Sequence, residues 1–233
     1  MVGGFRMLRR QMLALPGWMA AAAARDEVDL LLVLAIDASG SIGPEEFRLQ
    51  REGCAEALLE PAVLSAIRSG PMGAIGIAMV EWGAPGAAAT VVDWHRVADA
   101  ASAGLAAGAF RAAPRSRQSW NAIGDAIDHA AALIDAAPFR ADQKVIDLSG
   151  DAPDMRSRRP AALARDAAVA AGITINGLAI LGGAPNLADV FAGEVIGGPG
   201  AFVLTAEGRQ DFARAMRTKL VREIALRPGP RRA

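Results

Sequence analysis

Cysteine occurs once in the 233 residues, as Cys54, so no disulfide can close within the chain. A cluster of thiolates around zinc is excluded for the same reason. Tyrosine is absent, and the only histidines are His95 and His129. Chemistry that needs several imidazoles is therefore disfavoured. Excess charge of one sign is missing as well: Lys plus Arg number 25, and Asp plus Glu number 25. A general nucleic-acid binder carries a basic surplus, and this chain has none. Neither an internal repeat nor a low-complexity linker divides it. What remains is a globular balance, 52% hydrophobic and 21% charged. That balance excludes wholesale disorder, and the length is enough to bury a full core.

The amino terminus reads as an address. Arg6, Arg9 and Arg10 precede an apolar run from Met12 to Ala24, broken at Pro16-Gly17 and followed by Arg25-Asp26-Glu27. A basic start, a short apolar middle and a small-residue exit form the pattern of a secretory signal peptide. Residues 1–24 are expected to be cleaved during export, leaving a periplasmic or secreted chain with no stable membrane span. The alternative is an amphipathic or anchoring helix, for which the run is short. Arg9-Arg10 also weakly matches a twin-arginine signal.

Downstream, strand-length apolar runs alternate with helical patterns. Leu30 to Ile36 is almost continuously apolar, as in a strand buried on both faces. Pro44-Glu45-Glu46 opens a helix expected to reach Glu60, with proline at the first turn and acids beside the positive end of the dipole. Further strands are expected at 73–82, 88–94, 144–148, 173–181 and 201–205. Helices are expected at 97–107, 121–137, 160–171 and 208–226. The short Gly83–Gly86 link joins the second and third strands as a hairpin. The pattern implies an α/β fold: a doubly wound, mostly parallel six-stranded sheet with helices on both faces and its third strand antiparallel at the edge. One domain spans 28–226, and the Pro- and Arg-rich residues 227–233 read as a frayed tail.

Chemistry concentrates where the first strand ends. Asp37-Ala38-Ser39-Gly40-Ser41 places one carboxylate and two hydroxyls at alternate positions of a strand-to-helix turn. Ligands of open parallel sheets gather at this edge. Carboxylate and hydroxyl oxygens are hard donors, suited to Mg²⁺, Ca²⁺ or Mn²⁺. The residues alone leave a second reading open, a polar turn in which a serine caps the helix.

Residues 28–43 resemble the start of a von Willebrand factor type A domain, whose metal-ion-dependent adhesion site begins with D-x-S-x-S. The resemblance runs across 28–226 and is strongest to an uncharacterised bacterial group of exported A-type domains of the DUF1194 kind. Glu81-Trp82-Gly83 and Val145-Ile146-Asp147-Leu148-Ser149-Gly150-Asp151 carry that narrower likeness. The resemblance implies metal ligands at Asp37, Ser39, Ser41, Asn121 and Asp151. Two of these depart from the family pattern. Asn121 opens Asn121-Ala122-Ile123-Gly124-Asp125-Ala126-Ile127, where the family has a threonine ligand in a pattern like T-A-I-G-D-A-I. Asp151 closes Ser149-Gly150-Asp151, where most A domains have T-D-G. Ser119 is a substitute ligand; both it and Asn121 also suit helix capping. Asp154 is a second acid near the site or an ordinary turn residue. Asp147 lies within its strand, where it either orients neighbouring loops or is a buried, hydrogen-bonded acid, and Glu81 either adds negative field at the site or is a solvated strand end. Trp82, Trp94 and Trp120 are expected to pack in the core, with Trp120 as a partner contact if exposed. The histidines and the arginines of the last helix are expected on solvated faces.

What the resemblance implies is a binding module and not an enzyme: a protein partner supplies an acidic side chain to a cation with an incomplete shell. The alternative is a nucleotide-binding or phosphotransfer α/β enzyme using Asp37. Ala38-x-Gly40-x-x-Gly43 lacks the first glycine of a dinucleotide fingerprint. Gly150-Asp151-Ala152-Pro153-Asp154 resembles the acidic motif of haloacid dehalogenase phosphatases, but Ser39 stands where their second acid is needed. A serine hydrolase has no nucleophile elbow here.

Overall fold

The computed structural model describes residues 26–182 and 184–225. The expected signal segment 1–24 and tail 227–233 lie outside these residues. The chain runs β1 (Asp26–Glu27), β2 (Leu30–Asp37), α1 (Pro44–Leu59), α2 (Pro61–Arg68), β3 (Ile75–Trp82), β4 (Ala89–Val97) and α3 (Ala100–Ala112). It continues through α4 (Ile123–Asp135), β5 (Phe139–Arg140), β6 (Gln143–Gly150), α5 (Ala161–Ala170) and β7 (Thr174–Ile180). The last elements are α6 (Leu187–Val190) with a π-turn at Phe191–Val195, β8 (Val203–Ala206), a 3₁₀ turn and α7 (Phe212–Ala225).

Six strands form one sheet in the order β4-β3-β2-β6-β7-β8, and β1 pairs separately with β5. All pairs in the large sheet are parallel except β3 with β4. The expected fold and its antiparallel edge hairpin are thus what the structure has. β2 sits in the middle, which explains its unbroken apolar run. Leu30, Leu32, Leu34 and Ile36 join a core under α1, α2, α3 and α7, while Leu31, Val33 and Ala35 join one under α4, α5 and α6. Cys54 is buried on α1 in the first of these cores.

Local chemistry sets the element ends. Gly43 N–H donates to the Glu46 side chain at 3.0 Å and Pro44 occupies the first helical turn, so α1 starts where expected. It stops one residue short of Glu60, because a residue before proline is driven to extended backbone; Pro61 then opens α2. The helix expected from Val97 begins later. β4 keeps pairing with β3 as far as Val97, and Asp99 then caps α3, accepting from Ser102 N–H at 2.8 Å.

The sheet also defines where a ligand can sit. From β2 the chain moves outward to β3, and from β6 it moves the other way to β7. The carboxyl ends of β2 and β6 are therefore the switch point of the sheet, where the two connections diverge and leave a crevice. Asp37 ends β2, and Asp151 follows the last residue of β6.

Candidate metal centre

Three loops converge on this crevice: residues 38–43 after β2, 113–122 before α4, and 151–160 after β6. Asp37 is fully buried. One of its oxygens accepts from Ser39 N–H at 2.8 Å, which folds the loop back onto the strand end. The other, Oδ2, is buried with no N–H or hydroxyl donating to it, and the Asp151 carboxyl lies close to the Asp37 carboxyl. Burial, and then the nearby Asp151 carboxyl, push the Asp37 pKa up to about 7, against the pull of the Ser39 donors. Ser39 and Ser41 bring their hydroxyl oxygens to 3.1 Å from each other, Ser39 buried and Ser41 exposed. Asn121 is 9% exposed, and its side-chain Oδ1 is also buried without a partner.

The 113–122 loop is held tightly to the others. Arg115 donates from one terminal nitrogen to the carbonyls of Ala38, Ser39 and Ile42 at 3.1, 3.2 and 2.9 Å, and its guanidinium stands over the Phe47 ring. Gly83 admits this approach. A Cβ there would lie 2.9 Å from Gln118 Cβ, 3.0 Å from Ser119 O and 3.1 Å from Ser39 Cα. Gly83 C=O also accepts from Ala122 N–H at 2.8 Å, just past Asn121. Ser119 is exposed.

Asp154 has a different task from the one its motif suggests. It accepts from Ile123 N–H at 2.9 Å and Gly124 N–H at 3.4 Å, at the start of α4. Its second oxygen accepts from Ala161 N–H at 3.1 Å, at the start of α5, and Ser157 Oγ completes the set. One carboxylate thus caps two helices, where the dipoles favour negative charge. Capping of α4 by Asn121 or Ser119 is thereby corrected: Asp154 does it from another loop, and no side chain of the preceding residue takes part. Asp154 is also one of the two acids in the segment Gly150–Asp154 that a phosphatase reading would use, beside Asp151, and both its oxygens are engaged. Gly124 is required at this junction, since a Cβ would meet Arg159 O at 1.9 Å.

Glu81 is neither solvated nor a free field source at the site. It is fully buried, paired with Arg51 at 2.5 Å, and accepts from Ser116 N–H at 2.6 Å. Trp82 is core, as expected, its indole N–H donating to Ala35 C=O at 3.2 Å. Trp94 is half-buried on the edge strand, and Trp120 is exposed. His129 is half-buried against Thr90, with its pKa lowered by burial. Asp147 points to the α1–α7 side of the sheet, where Lys219 lies 2.7 Å away, with Glu223 and Asn176 beside it. The last helix therefore carries a buried charged face as well as a solvated one. Sequence reading missed Arg115, Arg51 and the partners of Asp147, namely Lys219, Glu223 and Asn176. Arg115 alone carries a legible signal, as a cation in the loop just upstream of Asn121.

Asp37, Ser39, Ser41, Asn121 and Asp151 are hard oxygen donors on converging loops, and Asp37 Oδ2 and Asn121 Oδ1 are buried with no N–H or hydroxyl donating to them. The set fits a small divalent cation.

A model for proteins of unknown function, DUF1194, matches residues 27–228. The chain belongs to the DUF1194 family. No curated protein matches it. A von Willebrand factor type A protein from Catenulispora acidiphila superposes on the DUF1194 chain with TM-score 0.58 at 20% identity, over 84% of this chain and 43% of that one. The pilus adhesin SpaC of Lactobacillus rhamnosus GG gives 0.61 at 13%, over 86% and 31%. Proximal thread matrix protein 1 of the mussel byssus, in a form with a zinc-occupied MIDAS motif, gives 0.59 at 16%, over 86% and 47%. The DUF1194 chain thus spans about a third to a half of these proteins' length, and what they share with it is the type A fold.

Proposed function

We propose that the protein is a non-enzymatic module that binds a partner protein through a divalent cation at the β2–β6 switch point. Asp37, Ser39, Ser41, Asn121 and Asp151 would hold the ion, directly or through water, and Mg²⁺ is the first choice over Mn²⁺ or Ca²⁺. The carrying observation is the buried Asp37 carboxyl beside Asp151, with no N–H or hydroxyl donating to its Oδ2 and its pKa raised by burial and Asp151. Placing two acids together in a dry crevice is costly unless a proton or a cation joins them, and a cation does so with both carboxylates ionised. When bound, the cation supplies a Lewis-acidic point for a carboxylate of the partner, strengthened by the low local dielectric. Residues 1–24 act as the export signal in this reading. Its fold neighbours include a pilus adhesin and a matrix protein with a zinc-occupied MIDAS motif, which is in keeping with this reading.

Thermal melts with Mg²⁺ against chelator test the site. A ligand bound only by the folded state stabilises it by about 2.7 kcal/mol at a hundredfold excess over its dissociation constant. Wild type is expected to shift and Asp37→Ala not to. An equal shift in both, or none at saturating metal, rejects Asp37 as a ligand.

A further inference from the structure

Trp120 and Arg156 are the non-glycine residues with left-handed backbone among the described residues, at φ 56° and 63°. That conformation is disfavoured for any side chain with a Cβ and persists where surroundings enforce it. The two residues meet: the Arg156 guanidinium carbon lies 4.0 Å from the centre of the Trp120 ring. Behind them runs the isolated bridge between Asn121 and Met155, with Met155 N–H donating to Asn121 C=O at 2.7 Å. Asp154 fastens the same two loops to α4 and α5. The result is a rigid rim beside the candidate metal centre that presents apolar surface to water: Trp120 is 48% exposed and Met155 42%. The other large exposed apolar side chains, Met72, Leu105 and Leu163, are not on these loops.

We infer that Trp120, Met155 and Arg156 form a ready-made contact for a partner-protein segment in which a large apolar side chain directly follows the coordinating carboxylate. The inference rests on the metal-bridge reading above. Trp120 adjoins Asn121, whose unpartnered Oδ1 belongs to the candidate centre, and neighbouring Cα atoms are about 3.8 Å apart. A carboxylate at the centre therefore brings the next residue of an extended segment to the rim. Charge favours the same direction. Arg117 and Arg156 are exposed on these two loops. On the opposite side of Asp151 lies a cleft of about 940 Å³ whose lining includes Glu45, Glu207 and Asp211. Glu45 and Asp211 are already paired there with Arg48 and Arg214, so that cleft offers an acidic segment no excess positive charge, while the exposed Arg117 and Arg156 attract it to the Trp120 side. An indole stacked on a guanidinium also loses little side-chain freedom on binding.

The test uses the full chain on an array of hexapeptides Gly-Gly-Asp-X-Gly-Gly, with X varied through the natural residues, in Mg²⁺ and in chelator. Trp, Phe, Leu or Met at X is expected to bind about tenfold more tightly than Ser. Trp120→Ala is expected to erase that preference while keeping the Mg²⁺-dependent melt shift, and Trp120→Phe to restore most of it. A preference unchanged in Trp120→Ala overturns the inference, as does chelator-sensitive binding with no preference at X, or a melt shift with no Asp peptide bound. Absence of the melt shift in wild type removes the metal-bridge reading itself, and this inference with it.

Discussion

Arg51 and Glu81 meet in the interior at 2.5 Å, both side chains almost wholly removed from water. The pair is satisfied on both sides. Arg51 also donates to Phe110 C=O at 2.6 Å, and Glu81 accepts from Ser116 N–H at 2.6 Å. It thereby ties α1 and β3 to the end of α3 and to the loop that delivers Asn121.

Removing one member of that pair leaves the other buried without compensation. Arg51→Met or Glu81→Gln alone is expected to cost about 3–5 kcal/mol. The double variant is expected to lose clearly less than the sum. Urea unfolding of all four forms measures this, and strict additivity would show that the pair is not coupled.

Asp154 predicts a different pattern. Asp154→Ala removes caps from α4 and α5 together and is expected to cost about 2 kcal/mol, at the upper end for a lost cap. The amides of Ile123, Gly124 and Ala161, which donate to it, should lose hydrogen-exchange protection. Unchanged protection at these amides would show that other groups cap the helices.

Asn121→Thr tests the departure from the family pattern. Threonine is the residue the resemblance places in this slot, and its hydroxyl sits closer to the main chain than the amide oxygen. Mg²⁺ affinity, measured by titration calorimetry, is expected to rise or hold. A fall would mean that Asn121 Oδ1 is placed better for the ion than a hydroxyl.

Glu223 predicts the pH dependence of stability. It is buried beside Asp147 and Lys219, and burial, then the Asp147 charge, raise its pKa from 4.5 to about 8. Between those values the unfolded chain has released a proton that the folded one keeps. Stability from this group therefore falls as pH rises through the window from 4.5 to about 8 and levels off above it. Glu223→Gln, which can still accept from Asn176, should flatten the profile and be the more stable form at about pH 9. Denaturant midpoints across that range read the effect; parallel profiles for the two forms would exclude Glu223 as the source.

Much of the fold was legible because it rests on local or periodic signals. The apolar run of β2 marks a central strand, and Asp37-x-Ser39-x-Ser41 marks its end at the switch point. Pro44 with its acids marks the start of α1. What was not legible depends on partners distant in sequence. Glu81 looks like any acid at a strand end until Arg51, on α1, is placed against it. Asp154 looks like a turn residue until α4 and α5 bring their amide groups to it. Arg115 is legible only as a cation upstream of Asn121, and its role appears when loop 113–122 is folded over Gly83. Helix α2 is not among the expected elements: the sequence reading ends α1 at Glu60 and resumes at the strand from 73, and the short apolar run Ala62-Val63-Leu64 does not mark a helix by itself.

Cys54 offers a reporter that the fold has already installed. The thiol is fully enclosed between α1 and the sheet, and burial pushes its ionisation well above the ordinary thiol range. A thiol-specific reagent in excess can therefore modify it only as fast as that interface opens. With one sulfhydryl in the whole sequence, the modification has a single kinetic phase to follow and no competing site to subtract. The opening rate of the core can be followed on the unaltered protein, by colour alone.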